Sequence, residues 1–142
     1  NCYGDGWMAI EGANKHFSIK RNRFRINGTY NARGILSFLS NNLAKTSTGT
    51  IVGNTFYHES GASADEFIQL VNATFQDEGI TIDGNDFIRQ SGSYIGNVIS
   101  IETGTFGTVI MNNRVNGMGL VTNAGTQTTS ADNDNYVGAV EQ

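Results

Sequence analysis

The stretch Ile80-Thr81-Ile82-Asp83-Gly84-Asn85-Asp86-Phe87 carries the pattern on which the chain is built, Ile-x-x-Asn-x-Phe. The pattern occurs upstream as Ile51-Val52-Gly53-Asn54-Thr55-Phe56 and Ile19-Lys20-Arg21-Asn22-Arg23-Phe24. Downstream, with valine in place of phenylalanine, it reads Ile110-Met111-Asn112-Asn113-Arg114-Val115. The four asparagines lie 32, 31 and 28 residues apart, a period typical of stacked repeat architectures. With each asparagine as origin, a second apolar segment follows at one fixed offset in three repeats: Ile35, Leu36 and Phe38, then Phe67, Ile68 and Leu70, then Val98, Ile99 and Ile101. Length variation is therefore confined to the return connection. Trp7-Met8-Ala9-Ile10 fits the same second segment of an earlier repeat, so the chain opens partway round one.

These segments are short, β-branched or aromatic, and bounded by Gly, Asn and Ser, which reads as strand rather than helix. Side chains alternate along a strand, so Ile82 faces inward while Thr81 and Asp83 face out, and the chain bends at Gly84-Asn85 before Phe87 turns inward again. The same reading stacks Ile19, Ile51, Ile82 and Ile110 in one column and Phe24, Phe56, Phe87 and Val115 in another. Asparagine suits the corner between them. It tolerates left-handed backbone, as does the glycine before it at Gly53 and Gly84. Its amide can also be satisfied by an identical amide one repeat away. Asn22, Asn54, Asn85 and Asn113 are accordingly expected to form a structural ladder.

Composition agrees with many turns and few helices: 18 glycines, no proline, and 15% charged residues. A net charge of −4 gives no overall electrostatic footprint for nucleic acid, and a polyanion would need a local basic cluster. No apolar run reaches the length of a membrane span, so no membrane insertion is expected. Asn1 at the first position suggests a processed chain or a piece of a longer one. Cys2 is the only cysteine, which excludes an internal disulfide and a cysteine-based metal site, and it reads as an incidental thiol. His16 and His58 fall far apart in the repeat, and Asp132-Asn133-Asp134-Asn135 lacks the later glycine and glutamate of a calcium loop. No metal or cofactor is expected.

On Gly53-Asn54-x-Phe56 and Gly84-Asn85-x-Phe87, with weaker copies at Asn22 and Asn113, the sequence resembles the right-handed parallel β-helix of the pectate-lyase-like superfamily, which includes phage tailspikes and related virion appendages. The resemblance implies an all-β parallel β-helix, a solenoid of about four coils over residues 1–122, with 123–142 as a polar C-terminal cap or tail. It implies a virion or extracellular setting and packing as a homotrimer, with the outward apolar residues Val52, Ile88, Val109 and Met111 as a seam. The fold hosts many activities, so function must be argued from a site.

The outward columns beyond the asparagine corner are where a β-helix would meet a glycan. Arg25, Tyr57, His58, Glu59, Asp86 and Arg89 are the carbohydrate-binding candidates, since forked donors, acids and an aromatic ring suit an acidic or neutral saccharide. Glu59 and Asp86 are the least bad catalytic pair for a glycosidase, which needs two carboxyls about 5–9.5 Å apart. No catalytic signature is otherwise present. The expectation is a phage virion structural protein contacting host surface glycan or other virion proteins, with a polysaccharide lyase or glycoside hydrolase as the alternative and a bacterial surface adhesin as a third.

Overall fold

Parallel pairing between segments about thirty residues apart generates nearly all of the sheet structure. The computed structural model describes the backbone of residues 2–3, 8–11, 16–26, 29–30, 36–40, 48–59, 63–64, 67–72, 77–90, 94–95, 97–101, 105–116, 119–123, 129–131 and 134–136, and the side chains of 16–25, 48–59, 67–70, 79–90, 98–101 and 107–116. The described residues form strands and turns and include no helix.

Three sheets dominate. The leading sheet, just before each corner, orders His16–Lys20, Thr48–Val52, Ile80–Asp83, Val109–Met111 and Thr129–Ala131. The trailing sheet, just after it, orders Cys2–Tyr3, Arg23–Ile26, Thr55–His58, Asp86–Arg89, Arg114–Asn116 and Asp134–Tyr136. The return sheet orders Met8–Glu11, Leu36–Ser40, Ile68–Asn72, Asn97–Ile101 and Gly119–Asn123. Two smaller parallel sheets join the connections.

The registers put like residues opposite like. Ile19, Ile51, Ile82 and Ile110 pair in succession, as do Phe24, Phe56, Phe87 and Val115. In the return sheet Ile10, Phe38, Leu70 and Ile101 align. The described isoleucines of the leading column are buried apart from the half-buried Ile19, and Phe67, Ile68, Leu70, Val98 and Ile99 join them in one core. Full burial of such a side chain contributes about 1.5–3 kcal/mol. Strands about 4.8 Å apart force aromatic neighbours to stack, and the rings obey. Phe24 and Phe56 lie 4.8 Å apart at 10°, Phe56 and Phe87 5.0 Å apart at 13°, and Phe67 tilts against both of the latter.

The corner is held by side chains. Asn54 Oδ1 accepts from the backbone N–H of Asn22 at 2.9 Å and from its amide at 3.3 Å. Asn85 Oδ1 accepts the same two donors of Asn54, and Asn113 Oδ1 those of Asn85, at 2.9–3.0 Å. Each amide also donates in the opposite direction, Asn54 to the Ile19 carbonyl, Asn85 to Ile51 and Asn113 to Ile82. Asn54, Asn85 and Asn113 are buried, and the amides of Asn54 and Asn85 are fully spent on neighbouring repeats.

The left-handed residue is the one before the ladder asparagine in every repeat: Arg21 (φ 54°), Gly53 (64°), Gly84 (60°) and Asn112 (53°). The ladder asparagine itself is not left-handed, so its role is hydrogen bonding rather than conformational tolerance. Glycine serves a different purpose at Gly49, where a Cβ would run into the Phe17 ring packed over it from the preceding repeat.

Parallel pairing continues past residue 122, where the sequence suggests an ending. Gly119–Asn123 pairs with Asn97–Ile101, then Thr129–Ala131 with Val109–Met111 and Asp134–Tyr136 with Arg114–Asn116. The pattern is hard to read there because Ser130 stands opposite Ile110 and Asn135 opposite Val115, so the apolar markers are gone while the backbone register persists. At the other end Cys2 pairs opposite Phe24, so a strand is present before the first corner. The trailing sheet thus has six strands where about four coils were expected.

Replacing Asn85 by alanine orphans two donors of Asn54 and the Ile51 carbonyl inside the core, at about 1–3 kcal/mol each. Denaturant unfolding should show a loss of about 4 kcal/mol, against about 1 kcal/mol for Asn22→Ala at the exposed end. Gly84→Ala meets no atom within 4 Å, so its cost should be the left-handed backbone alone, about 1–2 kcal/mol by the same measurement.

Candidate functional site

Residues beyond the corner are positioned by the inward anchoring of Phe24, Phe56 and Phe87. Because phenylalanine faces in, the residues on either side of it face out: Arg23 and Arg25, Thr55 and Tyr57, Asp86 and Ile88. Registers align Arg23 with Thr55, Asp86 and Arg114, and Arg25 with Tyr57 and Ile88.

Three of the six saccharide candidates come together. The Arg25 guanidinium lies over the Tyr57 ring at 5.8 Å and forms an ion pair from Nε to Glu59 Oε1. The Arg25 side chain is half exposed and that of Glu59 about a quarter. The group is therefore a shelf of a planar cation, an aromatic ring and an acid bridging two adjacent repeats.

The other three are elsewhere. Asp86 is paired with Arg114 Nη1 at 3.5 Å in the following repeat. Glu59 and Asp86 are therefore each held by an arginine, and the two arginines come from opposite directions along the stack. Both pairs join one repeat to the next.

His58 is not a surface residue. It is buried, and neither ring nitrogen has a hydrogen-bond partner. Its expected place on the outer face fails on parity: Phe56 faces in, so Tyr57 faces out and His58 faces in again. The ring meets Phe67 edge-on at 5.8 Å and 87°. Arg89 stands opposite it in register, half-buried and on the same inward parity, so it too is set apart from the Arg25 shelf. Burial, with a smaller contribution from the Arg89 charge, lowers the His58 pKa from 6.5 to about 4.

The outer face of the leading sheet joins repeats with hydroxyls. Thr48 meets His16 Nδ1, Thr50 Oγ1 donates to Ser18 Oγ at 3.3 Å, and the Asn112 amide donates to Asp83 at 2.9 Å. Among the described residues no three of His, Cys, Asp and Glu gather as metal ligands.

A feature missed in the sequence is the concentration of positive charge in Lys20-Arg21-Asn22-Arg23-Phe24-Arg25. This run holds four of the nine Lys and Arg residues, and all four are exposed. The sequence signal for it is the charge run itself, which lies around one corner and is divided when the outward columns are followed along the stack.

No known protein family, curated protein or solved structure matches this chain.

The lowered His58 pKa has a pH signature. A neutral imidazole is favoured in the fold, so its contribution is complete above pH 6.5 and is lost as pH falls towards 4, where the unfolded chain takes up the proton first. Across that window the loss should approach about 3 kcal/mol. Urea midpoints at several pH values measure it, and His58→Leu should flatten the dependence.

Proposed function

We propose that this chain is a right-handed parallel β-helix segment of a phage virion appendage, structural in role, packed as a homotrimer and facing host surface glycan through the Arg25–Tyr57–Glu59 shelf. The handedness follows from the strong preference of parallel crossovers for the right-handed turn. One observation carries the structural reading: many of the described amides, hydroxyls and carboxylates join one repeat to the next. The ladder amides, the hydroxyl pairs and both candidate acids are all engaged between repeats. Glycosidase chemistry needs two carboxyls facing one bond, whereas Glu59 and Asp86 each pair with a different arginine, in opposite directions along the stack, which favours the structural role.

Trimer packing is supported by half-buried apolar side chains on outward positions. Val52, Val109 and Met111 share the outer face of the leading sheet, whereas Ile88 lies around the corner on the trailing sheet. The seam would then follow the leading sheet alone.

Light scattering of the purified chain should give the mass of a trimer, and the protein should be found in purified particles. A monomer that is absent from particles would sink the structural reading. Incubation with capsular and cell-wall polysaccharides should leave their size unchanged. Shortening that Glu59→Gln or Asp86→Asn abolishes would establish the enzyme in its place.

A further inference from the structure

We propose that Lys20, Arg21 and Arg23 form a binding site for an anionic polysaccharide, carboxylated or sulfated, at the outer corner of the first complete repeat. This rests on the glycan-facing reading above and names the chemistry of the glycan.

Two independent observations carry it. The first is charge placement. Residues 20–25 carry four cations and no acid, leaving five Lys and Arg against thirteen Asp and Glu in the rest of the chain. Arg25 is engaged by Glu59. Lys20, Arg21 and Arg23 are exposed, and the described ion pairs include none of them. The next repeat supplies no acid either: Lys20 stands opposite Val52 and Arg23 opposite Thr55, and the Arg21 backbone N–H donates to the Val52 carbonyl. Three like charges within four residues, with no described acid opposite them on the adjacent repeat, repel one another, and an anion relieves that repulsion.

The second observation is the backbone of Arg21. The position before the ladder asparagine is left-handed in all four repeats and holds Gly53, Gly84 and Asn112 in the others, residues that accept this conformation at little cost. Arginine there is strained, and strain of this kind collects where a side chain is needed for function. What Arg21 adds is a guanidinium on the outside of the bend, between Lys20 on the leading sheet and Arg23 on the trailing sheet. The three cations therefore fan around one corner.

The surroundings favour a glycan over a nucleic acid. A duplex carries a charge every ~1.7 Å, and along the stack from this corner it would come within a Debye length, about 8–10 Å, of Asp83 and Asp86, in a chain whose net charge is −4. A chain with sparser acid groups can place one or two of them at the corner and run clear of the rest. The guanidinium fork suits carboxylate and sulfate oxygens.

The test uses the purified 142-residue chain and titration calorimetry with polygalacturonate, dextran sulfate, neutral dextran, a short DNA duplex and phosphatidylserine vesicles. Binding to the two anionic polysaccharides is expected, weakening with added salt, with little binding to neutral dextran. The double variant Arg21→Gly, Arg23→Ser should bind about tenfold more weakly or worse. Its salt dependence should be shallower by about one unit of slope per cation removed. Its denaturation midpoint should not fall, because glycine relieves the bend. Loss of binding with retained stability separates a ligand site from a structural role. If the double variant does not fold, Lys20→Ser with Arg23→Ser provides the same comparison. Unchanged affinity in a folded variant, equal binding of neutral dextran, or preference for DNA or vesicles overturns the site. Oligomeric state and particle incorporation read the structural proposal separately, so a variant that assembles but does not bind leaves that proposal standing.

Discussion

The buried asparagine ladder is the constraint on which the rest of the structure depends. A primary amide in an apolar interior is costly unless its donors and acceptor are all used, and here each is used only by the equivalent corner of a neighbouring repeat. A slip of one residue would orphan the amides and turn the isoleucine and phenylalanine columns outward together. The ladder thus fixes register, and register in turn places every side chain on the outer faces.

That order of causes explains why the outer chemistry is mostly connective. Once neighbours are locked about 4.8 Å apart, a side chain pointing outward has its nearest partner directly along the stack. Arg25 finds Tyr57 and Glu59, Arg114 finds Asp86, and Thr50 finds Ser18. Each exposed ion pair is worth little by itself, but the set leaves few groups at liberty. His58 and Thr108 are the exceptions among the described buried residues, an imidazole and a hydroxyl without hydrogen-bond partners.

The corner around Arg21 departs from the same logic. Glycine and asparagine occupy the equivalent bends, and neutral residues stand opposite its cations in the next repeat. Both departures raise the energy of the isolated chain, one through backbone strain and one through like-charge repulsion. Four of the nine Lys and Arg residues of an acidic protein fall within positions 20–25, and all four are exposed.

The residues by themselves determined the period, the strands on either side of each corner and the inward columns, because identical side chains at a fixed offset can be matched without knowing the path between them. Arg25, Tyr57 and Glu59 were legible as outward neighbours for the same reason, although their grouping apart from Asp86 was not. What only the tertiary structure decided was where each borderline side chain ends up. His58 is buried because the alternation set by Phe56 carries two residues further than it was followed. Arg21 bears the strain because the left-handed turn falls one residue before the amide. The strands at Thr129–Ala131 and Asp134–Tyr136 pair through backbone groups that leave no mark in a run of small polar residues. Hydrogen bonds of the main chain are common to all residues, so a strand without apolar markers becomes visible only once its neighbour is in place.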